Sequence, residues 1–125
     1  MMSRRRSRKD EIIQKEGDEE IFRKQAAVCR VFTHPLRIRV IHQLENGEKT
    51  VNEMVEALQV SQPYLSQHLQ ILRNAGVVET RRTGTSIHYR LRDKRLVKAC
   101  RLMRSILVDQ LRRAARENQR LVTER

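Results

Sequence analysis

The stretch SQPYLSQHLQILRNAGVVETRRTGTSIHYRL, residues 61–91, changes its apolar period in the middle, and that change constrains the fold more than any other feature of the chain. In its first half Leu65, Leu69 and Leu72 recur at steps of four and three, the spacing of one helix face. Ser61 is suited to cap that helix, Pro63 sits in a first turn where a missing N–H costs nothing, and Gly76 marks the stop. In the second half Val78 and Thr80, then Ile87, Tyr89 and Leu91, alternate about a Gly84-centred turn, which predicts a hairpin over Val77 to Leu91.

Upstream, Val51, Met54, Val55 and Leu58 predict a short helix over Thr50 to Leu58, joined to the next by Gln59-Val60-Ser61. Leu36, Val40, Ile41 and Leu44 predict another helix, with Thr33 as its cap and Asn46-Gly47 as its end. Ile21, Phe22, Ala26, Cys29 and Phe32 predict a first helix from Asp18 to about Thr33. Residues 1–17, crowded with Arg4, Arg5, Arg6, Arg8 and Lys9, are expected to be a disordered basic arm. Beyond the hairpin, Leu96, Cys100, Met103, Leu107, Leu111 and Ala114 form a sustained stripe on a long last helix beginning near Asp93. The organisation expected is an arm over residues 1–17, one winged helix-turn-helix domain over 18–120 and a tail over 121–125. The fold class is mainly α with a small β-hairpin wing.

The helix over 62–74 carries Gln62, Tyr64, Ser66, Gln67, His68, Gln70 and Arg73 away from its leucines, and none of its residues is acidic. Ordinary solvated faces mix both charge signs, whereas this one has no carboxylate to repel phosphate. Glutamine pairs with adenine and arginine with guanine in the major groove. The hairpin adds Arg81, Arg82, Thr83 and Thr85 near its tip, placed to lie over a neighbouring phosphate backbone. The whole chain has 27 Lys and Arg against 15 Asp and Glu, a formal charge of +12, so a polyanion is the partner to expect. Double-stranded DNA is that partner on this reading. The alternative is a winged-helix protein-interaction module whose charge serves only non-specific nucleic-acid or lipid association.

Catalysis is not expected, because there is no Gly-rich phosphate loop, no nucleophile elbow and no HExxH motif. No apolar run exceeds four residues, so neither a membrane span nor a secretory leader is expected and the cytoplasm is the expected location. Cys29 and Cys100 are far apart in sequence with no CxxC pair. Each falls on an apolar stripe, where it reads first as a small buried hydrophobe and second as half of a redox or sulfur-responsive pair.

Thr33-His34-Pro35-Leu36-Arg37, Ser61-Gln62-Pro63, Leu65-Ser66-Gln67-His68-Leu69, Leu72, Ala75-Gly76-Val77-Val78, Arg81-Arg82 and Tyr89, in that order, resemble the arsenic-repressor (ArsR/SmtB) family of bacterial and archaeal transcriptional regulators. The resemblance runs from about Glu20 to Leu111. It implies a winged-helix homodimer joined through its first and last helices, acting as a repressor that leaves its operator when a signal binds. Metal sites that the resemblance would place on the third and last helices fall on Thr50 and Asn52, and on Asp93, Arg95, Ile106 and Asp109. Thr50 and Asn52 supply no thiolate, and Arg95 and Ile106 cannot ligate zinc, so no metal and no cofactor are expected. The signal itself is left open by the sequence, the alternatives being a small molecule, a protein partner, no signal at all, or a thiol redox change at Cys29 and Cys100.

Overall fold

A computed structural model describes residues 7–124. The elements are α1 (Arg8–Val31), α2 (Pro35–Gln43), β1 (Lys49–Thr50), α3 (Val51–Leu58), α4 (Gln62–Asn74), β2 (Val78–Thr83), β3 (Ser86–Leu91) and α5 (Arg95–Thr123). They form a winged helix-turn-helix: α3 and α4 are joined by a tight turn, and β2–β3 is the wing.

Local chemistry fixes the boundaries of the central helices. Thr50 Oγ1 accepts from the Glu53 N–H and Ser61 Oγ from the Tyr64 N–H, so α3 and α4 each begin on a side-chain cap. Between them Gln59 adopts a left-handed backbone (φ 57°) that lets the chain reverse within three residues. At the far end of α4 the Val77 N–H reaches the Leu72 carbonyl and the Gly76 N–H the Arg73 carbonyl, with Gly76 at φ 73°. This reciprocal closure needs a residue in the left-handed region, which glycine enters at least cost. It also aims the chain from α4 directly into β2.

The sheet has the order β1-β3-β2 and is antiparallel throughout. Val78 pairs with Leu91, Thr80 with Tyr89 and Arg82 with Ile87, so these six share one face, and the buried Val78 and Leu91 show that this face meets the core. Glu79, Arg81, His88 and Arg90 share the other. Leu65, Leu69 and Leu72 of α4 are 0% exposed and pack with Val40, Ile41, Met54 and Val77 in one apolar cluster. Burial of this kind contributes roughly 1.5–3 kcal/mol for each large aliphatic side chain.

Several expectations are corrected. Residues 8–17 are not a disordered arm: α1 starts at Arg8, where Ser7 Oγ accepts from the Asp10 N–H and Asp10 and Glu11 favour the first turn. The arginines 4–6 lie outside the described residues. His34, not Thr33, caps α2, and α1 ends at Val31. Residues 121–123 are not a separate tail but the last turn of α5. β1 was not expected at all; a strand of two residues is too short to show a period.

Candidate nucleic-acid interface

Helix α4 points Gln62, Tyr64, Ser66, Gln67, Gln70 and Arg73 outward, all exposed, with no Asp or Glu in its thirteen residues. The Gln70 amide nitrogen donates to Asn74 Oδ1 at 2.9 Å, a contact between exposed neighbours that a base edge would replace at little cost. The face is therefore a row of donors and acceptors without negative charge.

His68 does not belong to that row. It is 7% exposed, with its Nδ1 3.4 Å from the Arg37 guanidinium, and burial, helped by the nearby His34 ring and by the positive charge of Arg37, holds its pKa below the ordinary histidine value. A neutral ring in the core is a structural group, so its assignment to the DNA face is corrected. Position 68 lies three residues past Leu65 and four before Leu72, on the buried side of the helix, although its residue type is polar. Arg37 also donates from Nε to the Val31 carbonyl at 2.6 Å, so one guanidinium ties the end of α1 to α2 and to the recognition helix.

In the wing, Arg81 and Arg82 separate by strand alternation. Arg81 turns to the outer face and donates to both oxygens of Glu48 (Nε to Oε1 3.1 Å, Nη2 to Oε2 2.7 Å) and to Thr83 Oγ1 at 2.8 Å. The Arg81 hydrogen bonds hold the Glu48 carboxyl below the usual carboxylate range and raise Arg81 in turn. Arg90 joins this cluster, with Glu79 at 2.8 Å and Glu48 at 3.7 Å. Arg82 lies on the sheet face that carries Val78 and Leu91 and, among the described residues, has no ion-pair partner. Thr85 is exposed at the tip beside Gly84, whose φ of 61° closes the hairpin, and Thr83 accepts from Arg81. Of the two adjacent arginines, Arg82 is the free cation and Arg81 is already neutralised. No sequence pattern points to Glu48, because the pairing spans 33 positions and is made only by the β1–β3–β2 sheet.

The remaining candidates lie apart from this surface. Cys29 is exposed on α1 in the single chain; Cys100 is half-buried on α5, where burial pushes its thiol up. Both are free thiols. Asp93 is engaged by Arg95 through its guanidinium (2.7 Å) and its backbone N–H (2.9 Å), which together hold the carboxyl down to about 2. Among the described residues no group of three or more His, Cys, Asp or Glu is placed to hold a metal ion.

A three-residue turn between α3 and α4, an acid-free outer face and a basic wing define the class of winged helix-turn-helix regulatory domains. Residues 34–80 match the model of the bacterial regulatory protein, arsR family. The chain is 34% identical over 89 residues to the biofilm growth-associated repressor of Xylella fastidiosa, covering 71% of this chain and 78% of that protein. It belongs to the ArsR family. It is also 43% identical over 77 residues to the HTH-type transcriptional repressor SmtB of Mycobacterium tuberculosis, covering 62% of this chain and 57% of that one, so it spans little more than half of that relative's length. Among solved structures it is similar to the transcriptional repressor BigR from Xylella fastidiosa, at 35% identity and a TM-score of 0.63, covering 71% of this chain and 94% of BigR.

Proposed function

We propose that this chain is a sequence-specific, double-stranded DNA-binding transcriptional repressor that acts as a homodimer. The observation that carries the reading is the exposed, acid-free face of α4 beside the uncompensated Arg82 of the wing. Gln62, Ser66, Gln67, Gln70 and Arg73 are the base-reading or base-adjacent groups in it, and Arg82, Thr83 and Thr85 follow the phosphate backbone, with Arg81 joining once a phosphate displaces Glu48. Family relatives named as repressors support the direction of regulation. The homodimer is supported by the apolar side chains that α1 and α5 leave in water, among them Phe22 at 64%, Met103 at 64% and Leu111 at 71% exposure. Covering them with a second copy relates the two α4 helices by a two-fold axis, and half-sites about one DNA turn apart, ~34 Å, then call for a near-palindromic operator.

Selection of bound duplexes from a random pool tests this directly. An enriched near-palindrome supports the reading, and a pool that never narrows defeats it in favour of the non-specific alternative. On the enriched duplex Gln67→Ala should cost ~1–3 kcal/mol while affinity for unrelated duplex barely changes.

A further inference from the structure

The junction between α2 and α4 holds a hydrogen-bond chain that reaches the exposed face. The Leu36 N–H donates to His34 Nδ1 at 3.1 Å, capping α2. A backbone amide only donates, so Nδ1 is an acceptor and carries no proton; the neutral ring therefore has its hydrogen on Nε2. That Nε2 lies 3.2 Å from the Tyr64 hydroxyl oxygen, so the imidazole donates and the phenol oxygen accepts. The Tyr64 hydroxyl hydrogen is then left to be given to something else. The tyrosine ring is also held from the side by His68, edge-on at 4.9 Å between centroids and 86° between planes. Its hydroxyl is thus fixed in position and in polarity, on a residue that remains 42% exposed.

Tyr64 occupies a particular place on α4. Gln67, Gln70 and Asn74 run along the middle of the outer face, whereas Tyr64 and Ile71 mark the edge next to the start of α2. The middle of a recognition helix faces base edges and its flanks face the strands' phosphates. A phosphodiester oxygen only accepts, and a tyrosine whose oxygen is already occupied has only a proton to offer, so the two match.

We propose that Tyr64 donates its hydroxyl hydrogen to a DNA phosphate oxygen, and that His34 is the positioning residue that fixes this polarity through its capped Nδ1. This rests on the DNA-binding reading above and adds a contact whose direction is set from the neighbouring helix. The backbone of α2 thereby selects the histidine tautomer, and the tautomer selects what the recognition helix can bind.

The test measures affinity of the full chain for the duplex enriched by selection and for a shuffled duplex of the same length, each over a range of salt. Tyr64→Phe should weaken both about tenfold, the order expected for a hydrogen bond to a charged acceptor, and leave the salt slope unchanged because no cation is lost. His34→Asn keeps a side-chain oxygen for the Leu36 N–H but falls short of Tyr64, and should give the same loss. In the Tyr64→Phe background His34→Asn should add nothing, a result that a merely structural role for His34 would not produce. Should His34→Asn unfold, His34→Ser supplies an alternative cap. Unchanged affinity in Tyr64→Phe, a loss confined to the enriched duplex, or additive losses in the double variant would each overturn the proposal while leaving the DNA-binding reading intact. A native chain that binds neither duplex would overturn both.

Discussion

The segment from α2 to β3 and the two long helices that flank it are stabilised on different terms. The central segment holds nearly the whole apolar core, with Val40, Ile41, Met54, Leu65, Leu69 and Leu72 all at 0% exposure. Helix α1, 24 residues long, buries only Val31, and α5, 29 residues long, buries only Val97. Both nevertheless carry large apolar side chains, from Ile21 and Phe22 on α1 to Leu107 and Leu111 on α5. Helices within proteins draw most of their stability from packing an apolar face. The central segment supplies its own, whereas in the proposed homodimer the flanking helices take theirs from the second copy.

That contrast is broken or sharpened by three measurements. The largest effect is expected at Leu69, where truncation leaves a cavity against α2 and α3: Leu69→Ala should lower unfolding free energy by ~2–5 kcal/mol in urea titration. Leu111→Ala should behave in the opposite way. At a concentration low enough to hold the chain monomeric it should change unfolding by no more than about 0.5 kcal/mol, while sedimentation equilibrium shows dimer dissociation weakened about tenfold, near 1.4 kcal/mol. If Leu111→Ala destabilises the single chain as Leu69→Ala does, the two regions are not distinct. The smallest effect is within the central segment, at the wing. Arg82→Ala should reduce affinity for any duplex several-fold and flatten the salt slope by about one unit, and Arg81→Ala should do less, because its phosphate contact comes at the expense of Glu48. Glu48→Gln should raise non-specific affinity and steepen the slope; a fall instead would mean that Glu48 orders the wing rather than withholding its charge.

The same division explains what was legible in the sequence. Helices α2, α3 and α4 and the wing could be read because their apolar residues recur with the period of the core they face, and Ser61, Thr50 and Gly76 announce their ends by local chemistry. Helix α1 starts ten residues before the point its apolar pattern predicts, because its first turns face no core in the single chain and their charges imitate a solvated arm. The outer face of α4 was legible as a face, but not the separation of His68 from it, which depends on Arg37 and His34 arriving from α2. Arg81 and Arg82 are equivalent as text and differ only once the β2–β3 register assigns them to opposite sides. Pairings across 30 or more positions, such as Tyr64 with His34 or Arg81 with Glu48, leave no trace in spacing.

Arg37 gives the long first helix a mechanical meaning. Its guanidinium grips the carbonyls of Val31 and Arg30 at the end of α1 and touches His68 within α4. The helix is clamped at one end and extends ~36 Å to the other at 1.5 Å per residue, which makes it an oar with its rowlock beside the recognition helix. A tilt of about 5° at the clamp sweeps the far end through ~3 Å over that length.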